Sequence, residues 1–222
     1  MVKLLKKTTF EEFYKVNEMV AKTTPMSTHY RSKNIFEKRL WGQKKRTIKD
    51  FLEGLEIKNI IDLGCGDAGL IDVVGKHINY TGIDISPTQL KNAKKYIRRN
   101  GRKNARVYKD DILNLKNRNG EFDAALLCDV VEHVLHPEKL LIEAKRIVKK
   151  GGYIILSIPN EPLWQLARTL LLRFPPRSPD HLSAIFPSDI ENNFPKVLRK
   201  TFIPIGFSSK LSLVRIFLVK NV

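Results

Sequence analysis

The feature that most constrains this chain is the stretch IIDLGCGDAG at residues 60–69. An apolar run with Ile57, Ile60, Ile61 and Leu63 is interrupted by one acid, Asp62, and ends in Gly64, Gly66 and Gly69. Apolar residues followed at once by Gly-x-Gly-x-x-Gly predict a buried strand that turns sharply at its end. Glycine at the first two positions lets the backbone adopt left-handed angles and approach a ligand where a side chain would take up the ligand's space. Several nucleotide-binding folds share this spacing, so the residues around it must decide what the loop holds.

Downstream, strand and helix patterns alternate. Strands are predicted over 58–63, 79–84, about 105–108, 122–128 and 153–158, each a nearly continuous apolar run. A short helix is expected around 70–76. A longer one starts at Pro87, where Ser86 supplies a cap, Gln89 completes a Ser-x-x-Gln capping box, and Leu90, Ala93 and Ile97 form the buried face. Pro137 opens a third helix with the stripe Leu140, Leu141, Ala144, Ile147 and Val148, and Gly151 is expected to end it. Two last apolar runs, 201–207 and 211–219, are close enough in sequence to pair antiparallel. Helix-type spacing also marks 9–22 and 34–53. The expected fold is therefore α/β: a Rossmann-like, doubly wound, seven-stranded and mostly parallel sheet with an antiparallel last strand, preceded by two N-terminal helices.

At 222 residues the chain has room for one such domain. Its two cysteines, Cys65 and Cys128, are far apart and lie in strand-like contexts. This predicts a reducing, cytoplasmic setting, and no apolar run reaches membrane-spanning length. The net charge of +17 includes eight basic residues and no acid between Lys91 and Arg106. Such a run suits RNA or anionic lipid, and equally a solvated helix face.

The acids narrow the ligand. Asp84 ends the second strand 20 residues after Gly64, where a carboxylate can accept both ribose hydroxyls of a nucleotide. Asp62 stands where dinucleotide-binding strands usually carry an apolar residue, and Asp111 follows the third strand, within reach of an adenine amine. Taken with FDAALLCDVVEHVLHP and GGYIILSIPN, these segments resemble, in order and spacing, the motif series of class I S-adenosylmethionine-dependent methyltransferases, over residues 58–160.

That resemblance implies the cofactor S-adenosyl-L-methionine and a set of contacts for it. Gly64, Cys65 and Gly66 would line its methionine part by backbone contact, and Asp62 would help orient it. Asp84 would take the ribose, with Ile85 against adenine, Asp111 and Ile112 at the adenine edge, and the Cys128 backbone facing the point of methyl transfer. Residues 1–57 would form a helical lid, 58–160 the cofactor-binding core, and 161–222 the acceptor-pocket segment and final strands.

Transfer from a sulfonium needs in-line alignment above all, and a base only for a protic acceptor. The candidates for that base are Asp129, His133 and His181, the last paired with Asp180. Asp129-x-x-Glu132-His133 resembles the acid-x-x-Glu-His segment of ubiquinone-type O-methyltransferases, where a divalent ion can sit. The expectation here is no metal, with the Glu-His pair stabilising the strand-to-helix turn. Leu163, Leu166, Ala167, Leu170 and Phe174 share a helical face over 162–174 that suits a membrane surface or a lipid chain, and would equally serve as a lid over the sheet. The expected acceptor is a small or lipid-linked molecule methylated on oxygen or nitrogen. RNA is the rival substrate, a non-catalytic cofactor-binding partner protein is the rival of another class, and an NAD-dependent dehydrogenase is the weakest alternative.

Overall fold

The computed structural model describes residues 3–4, 9–23, 35–170, 181–206, 208 and 210–222. Helices α1 (Phe10–Thr23) and α2 (Ile35–Leu52) precede the main sheet. Strands β2 (Asn59–Leu63), β3 (Asn79–Asp84), β4 (Ala105–Lys109), β5 (Phe122–Cys128), β6 (Val148–Pro159), β8 (Val197–Ile203) and β9 (Val214–Lys220) form a seven-stranded sheet in the order β4-β3-β2-β5-β6-β9-β8. Pairing is parallel except at β9, which runs antiparallel to both neighbours. The expected architecture is thus the observed one.

Both faces of this sheet are covered, which is why its strands are apolar at almost every position. Side chains alternate across a strand. On β2, Ile60 faces a core with Leu40, Ile48 and Phe51 of α2 and with Leu90, Ala93 and Ile97 of α3 (Pro87–Arg99). Ile61 and Leu63 face the opposite core, built on Leu140, Leu141, Ala144 and Ile147 of α4 (Pro137–Ile147). Consecutive strands step outward from β2 to β4, and the chain then returns to place β5 on the other side of β2. The carboxyl ends of β2 and β5 therefore part at a switch point, where open α/β sheets form their ligand crevice.

The structure departs from the sequence reading in three places. Residues 66–73 form successive turns with i→i−3 bonds, such as Ala68 N–H to the Cys65 carbonyl, and not the helix expected around 70–76. Ala68 has φ 62, a left-handed angle that a regular helix cannot contain. α4 ends at Ile147, so Gly151 (φ 79) does not terminate it and lies inside β6 at a register irregularity. The side-chain amide of Asn221 donates to the carbonyls of Lys145 and Val148, satisfying the helix end that Gly151 was expected to close. Finally, β1 (Lys3–Leu4) pairs antiparallel with β7 (Ser183–Ala184) in a small second sheet.

One side chain pins the amino-terminal edge of the main sheet. Asp123 on β5 accepts the backbone N–H groups of Lys58 and Asn59 at 2.7 and 2.8 Å, and Lys149 Nζ lies 2.7 Å from its other oxygen. Burial alone would raise its pKa, but these donors outweigh it and hold the carboxyl below its ordinary value. Asp123→Ala should therefore lower stability by about 1–3 kcal/mol near neutral pH. The wild-type advantage is complete above the unfolded-state value of about 3.9 and is lost as pH falls through the lower folded-state value. Urea unfolding of both proteins between neutral and strongly acidic pH measures this gap.

Candidate functional site

A cleft of about 330 Å³ opens at the switch point. Its first wall is the loop after β2. Gly64 has φ 72, and a Cβ there would lie 2.4 Å from Val130 Cγ2, so only glycine fits. The N–H groups of Gly64 and Cys65 both donate to the Ile83 carbonyl at 2.8 and 2.9 Å, which ties the loop to the end of β3. Gly66 N–H donates to Asp84 Oδ2 and Ser86 N–H to Asp84 Oδ1, each at 2.8 Å. Burial pushes the Asp84 carboxyl up while those two donors oppose it. Each oxygen keeps further acceptor capacity.

Ile85, Ser86 and Gln89 continue this wall, and Asp110, Asp111, Ile112 and Leu113 after β4 complete the end. Asp111 Oδ1 accepts the Leu113 N–H at 2.9 Å, a turn that holds its carboxylate at the rim. Asn17 of α1 lines the same end, beside Glu18, whose Oε2 accepts the Thr88 hydroxyl at 2.9 Å. The other end is lined by Asp129, Val130, His133, Val134, Leu135 and His136 from the segment after β5.

Of the residues singled out from sequence, Gly64, Gly66, Asp84, Ile85, Asp111, Ile112, Asp129 and His133 meet on this cleft. Asp62, Cys65 and Cys128 are not among the lining side chains and lie buried. Asp62 accepts the Tyr80 hydroxyl at 2.6 Å, and burial pushes its carboxyl up to about 7 against that bond. Cys65 Sγ packs where Gly82 has no side chain; a Cβ on Gly82 would sit 2.8 Å from it. Burial pushes both thiols up, away from nucleophilic thiolate character.

Asp129 is already engaged. It has φ 55, its N–H donates to Ser157 Oγ at 3.1 Å, and the Ser157 hydroxyl donates back to Oδ1 at 3.2 Å. Its Oδ2 forms an ion pair with Lys44 of α2, a side chain only 1% exposed. A carboxylate held in this way ties the turn after β5 to both α2 and β6. Lys44 was missed in the run KKRTIKD, although its spacing was a signal. Leu40, Lys44, Ile48 and Phe51 share one helical face, and 44 is the only charged position on it.

His181 has a carboxylate partner among the described residues. Asp180 and residues 171–174 of the amphipathic segment lie outside the described residues. Within them, His181 Nδ1 lies 2.5 Å from Glu161 Oε1, at the start of α5 (Glu161–Leu170). The His133 and His181 rings meet edge-on with centroids 4.9 Å apart. Ligand atoms of Glu132, His133 and His181 all lie within 4.8 Å of one another. Glu132 is 3% exposed, and burial raises its carboxyl pKa against the opposing influence of the two imidazoles. One oxygen each of Glu132 and Glu161 is buried without a hydrogen-bond partner. The pair read from sequence as a turn stabiliser is therefore half of a four-residue cluster whose other half arrives from 29 and 48 residues away in the chain (161 − 132 and 181 − 133).

Comparison with known proteins finds methyltransferases. Residues 61–156 match the family model described as a methyltransferase domain. The chain is 31% identical over 141 residues to a ubiquinone biosynthesis O-methyltransferase of Dechloromonas aromatica, covering 60% of each chain. It is 33% identical over 117 residues to a norajmaline N-methyltransferase of Rauvolfia serpentina, covering 51% of this chain and 40% of the relative. It thus spans 60% and 40% of these two relatives' own lengths, less than two thirds of either. Magnesium protoporphyrin IX methyltransferase of Synechocystis PCC 6803, solved with bound SAH, superposes with a TM-score of 0.71 at 16% identity, over 95% of this chain and 100% of that one.

The Lys44–Asp129 pair makes a stability prediction. Lys44→Ala strands a mostly buried carboxylate and should cost about 3–5 kcal/mol. Adding Asp129→Asn to Lys44→Met should restore most of that loss. A double-mutant cycle by urea unfolding reads the coupling, and additive effects would show that the pair carries none.

Proposed function

We propose that the chain is a class I S-adenosylmethionine-dependent methyltransferase that methylates a hydroxyl oxygen of a small or lipid-linked acceptor. The observation that carries this reading is the chemical asymmetry of the cleft. One end presents acceptors, Asp84 and Asp111, which suit the ribose diol and exocyclic amine of a nucleoside. The other end presents an imidazole, His133, backed by His181 and Glu161. The bound cofactor supplies an activated methyl group on a sulfonium. Gly64 and Gly66 hold the backbone close to it, and Asp84 fixes its position along the cleft.

His133 stands where a protic acceptor must lose its proton, and Glu161 orients His181 behind it. The residues before β2 that contribute Asn17 act as a cap over the nucleoside end. The ubiquinone-pathway relative is named an O-methyltransferase and the alkaloid relative an N-methyltransferase. A hydroxyl acceptor is favoured here because its proton must be removed as the new bond forms, and the imidazoles suit that task. No helix among the described residues is long and apolar enough to cross a membrane. A lipid-linked acceptor would instead be met at the exposed side chains of Leu166 and Leu170 on α5.

The clustered donors support a second reading of the acceptor end. Glu132, His133 and His181 offer a carboxylate and two imidazoles at ligand-atom separations of 4.8 Å or less, and Glu161 grips the second nitrogen of His181 as an outer-shell carboxylate does. This donor set fits a divalent transition metal, which would supply Lewis-acid activation of the acceptor hydroxyl. The protein dialysed against zinc and then metal-free buffer should retain about one ion per chain by elemental analysis. His181→Ala should retain none. Equal, negligible retention by both would leave the imidazoles as proton acceptors alone.

The acceptor class is read with S-adenosylmethionine labelled on its methyl group, incubated with the protein and fractionated cell extract. Label is expected in the organic or small-molecule fraction, and Asp84→Ala should abolish it. Label in RNA would overturn the small-molecule reading and give the basic stretch 91–106 a role. No label in any fraction would favour a non-catalytic binder.

A further inference from the structure

The capping box expected at the start of α3 is only half formed, and the missing half points to a ligand contact. Ser86 Oγ accepts the Gln89 N–H at 3.1 Å, as a capping serine does. The return bond, from the Ser86 N–H to the Gln89 side chain, cannot form because that N–H already donates to Asp84 Oδ1. The Gln89 side chain is therefore released from its helix. It is 8% exposed, it lines the cleft, and its Oε1 is buried without a hydrogen-bond partner.

A buried amide oxygen with no donor costs about 1–3 kcal/mol, and native proteins keep few such groups. α3 has other residues at its buried face, Leu90, Ala93 and Ile97, that are apolar. An apolar side chain at 89 would serve packing as well as they do. The glutamine is explained by a donor that arrives with a ligand.

Asp84 defines what that donor is. Its carboxylate lies on the same wall, with one backbone N–H already on each oxygen. A ribose brings two adjacent hydroxyls, each able to donate one bond. We propose that Gln89 is a cofactor-binding residue whose Oε1 accepts one ribose hydroxyl while Asp84 accepts the other. This assignment rests on the S-adenosyl reading of the cleft and adds to it a second ribose ligand that reads the sugar. A site that hydrogen-bonds both hydroxyls discriminates against a nucleoside lacking either one, because the unmatched acceptor stays buried and unpaired. α1 stands beside this end, with Glu18 accepting the Thr88 hydroxyl and Asn17 on the cleft wall.

The test is calorimetric titration with S-adenosylhomocysteine and its 2′-deoxy and 3′-deoxy analogues. Wild-type protein should bind both analogues more weakly than the parent compound. Gln89→Leu should weaken the parent by about 5- to 30-fold, the value of one hydrogen bond of about 1–2 kcal/mol. It should also bind one of the two deoxy analogues as well as it binds the parent. A purely structural glutamine would behave differently. Its replacement would lower the melting temperature of the ligand-free protein, whereas removal of an orphaned buried acceptor should leave that temperature unchanged or higher.

Unchanged affinity in Gln89→Leu, or equal loss for all three compounds with a lowered melting temperature, would overturn the assignment. Wild-type protein that ignores one of the two hydroxyls would also overturn it, whether or not the variant folds. Wild-type protein that binds none of the three would instead sink the S-adenosyl reading itself, so the two failures are distinguishable.

Discussion

The close approach between the β2 loop and the β5 segment is the contact on which the site depends. Gly64 faces Val130 so tightly that no Cβ fits between them. The two strands part at the topological switch, and this contact sets how far. The same loop places its N–H groups on the Ile83 carbonyl and on the Asp84 carboxylate. The position of the acid is therefore fixed by backbone before any ligand arrives. Preorganisation of this kind limits the ordering cost of binding, because few groups remain to be immobilised.

Beneath that loop the protein buries more acid than a core ordinarily tolerates, and it compensates locally. Asp62 has the Tyr80 hydroxyl, Asp129 has Lys44 and Ser157, and Glu161 has His181. Each pairing joins two different segments: β2 to β3, the turn after β5 to α2, and α5 to the residues before β7. The charged residues of the interior thus also hold the walls of the cleft in register. Removing one partner from such a pair is far more disruptive than removing both.

Most of the fold was legible in the sequence because its signals are local and periodic. Apolar strands, glycine turns and prolines at the first helical position each declare an element within a few residues, and their alternation indicates a doubly wound, mostly parallel sheet. The residues on the cleft wall were legible where they follow strand ends, as Gly64, Asp84 and Asp111 do. Lys44, Glu161 and the release of Gln89 were not, because each depends on a partner brought by the fold. Gln89 was read as part of a capping box, which is correct for its backbone and wrong for its side chain. A competing acceptor, Asp84, took the donor that the box required, and nothing within the four residues of the motif could reveal that. Gly151 was misplaced for a related reason: Asn221, 70 positions downstream (221 − 151), caps α4 in its stead.

The division of labour along the cleft also bears on specificity. The end of the cleft proposed for the nucleoside is lined mainly by residues that follow β2, β3 and β4, the part of the chain that matches the family model, with Asn17 of α1 beside them. Its other end borrows Glu161 and His181 from beyond residue 156, outside that match. The end of the cleft at His133 thus depends on a later segment of the chain. Here that segment brings a buried carboxylate and an imidazole against the Glu132–His133 turn. That segment is tied to the turn after β5 by the Leu182 N–H bond to the Glu132 carbonyl and by the Ser183 hydroxyl bond to the Val131 carbonyl. The proposed acceptor end therefore depends on where this later segment returns, and not on the glycine loop from which the fold is recognised.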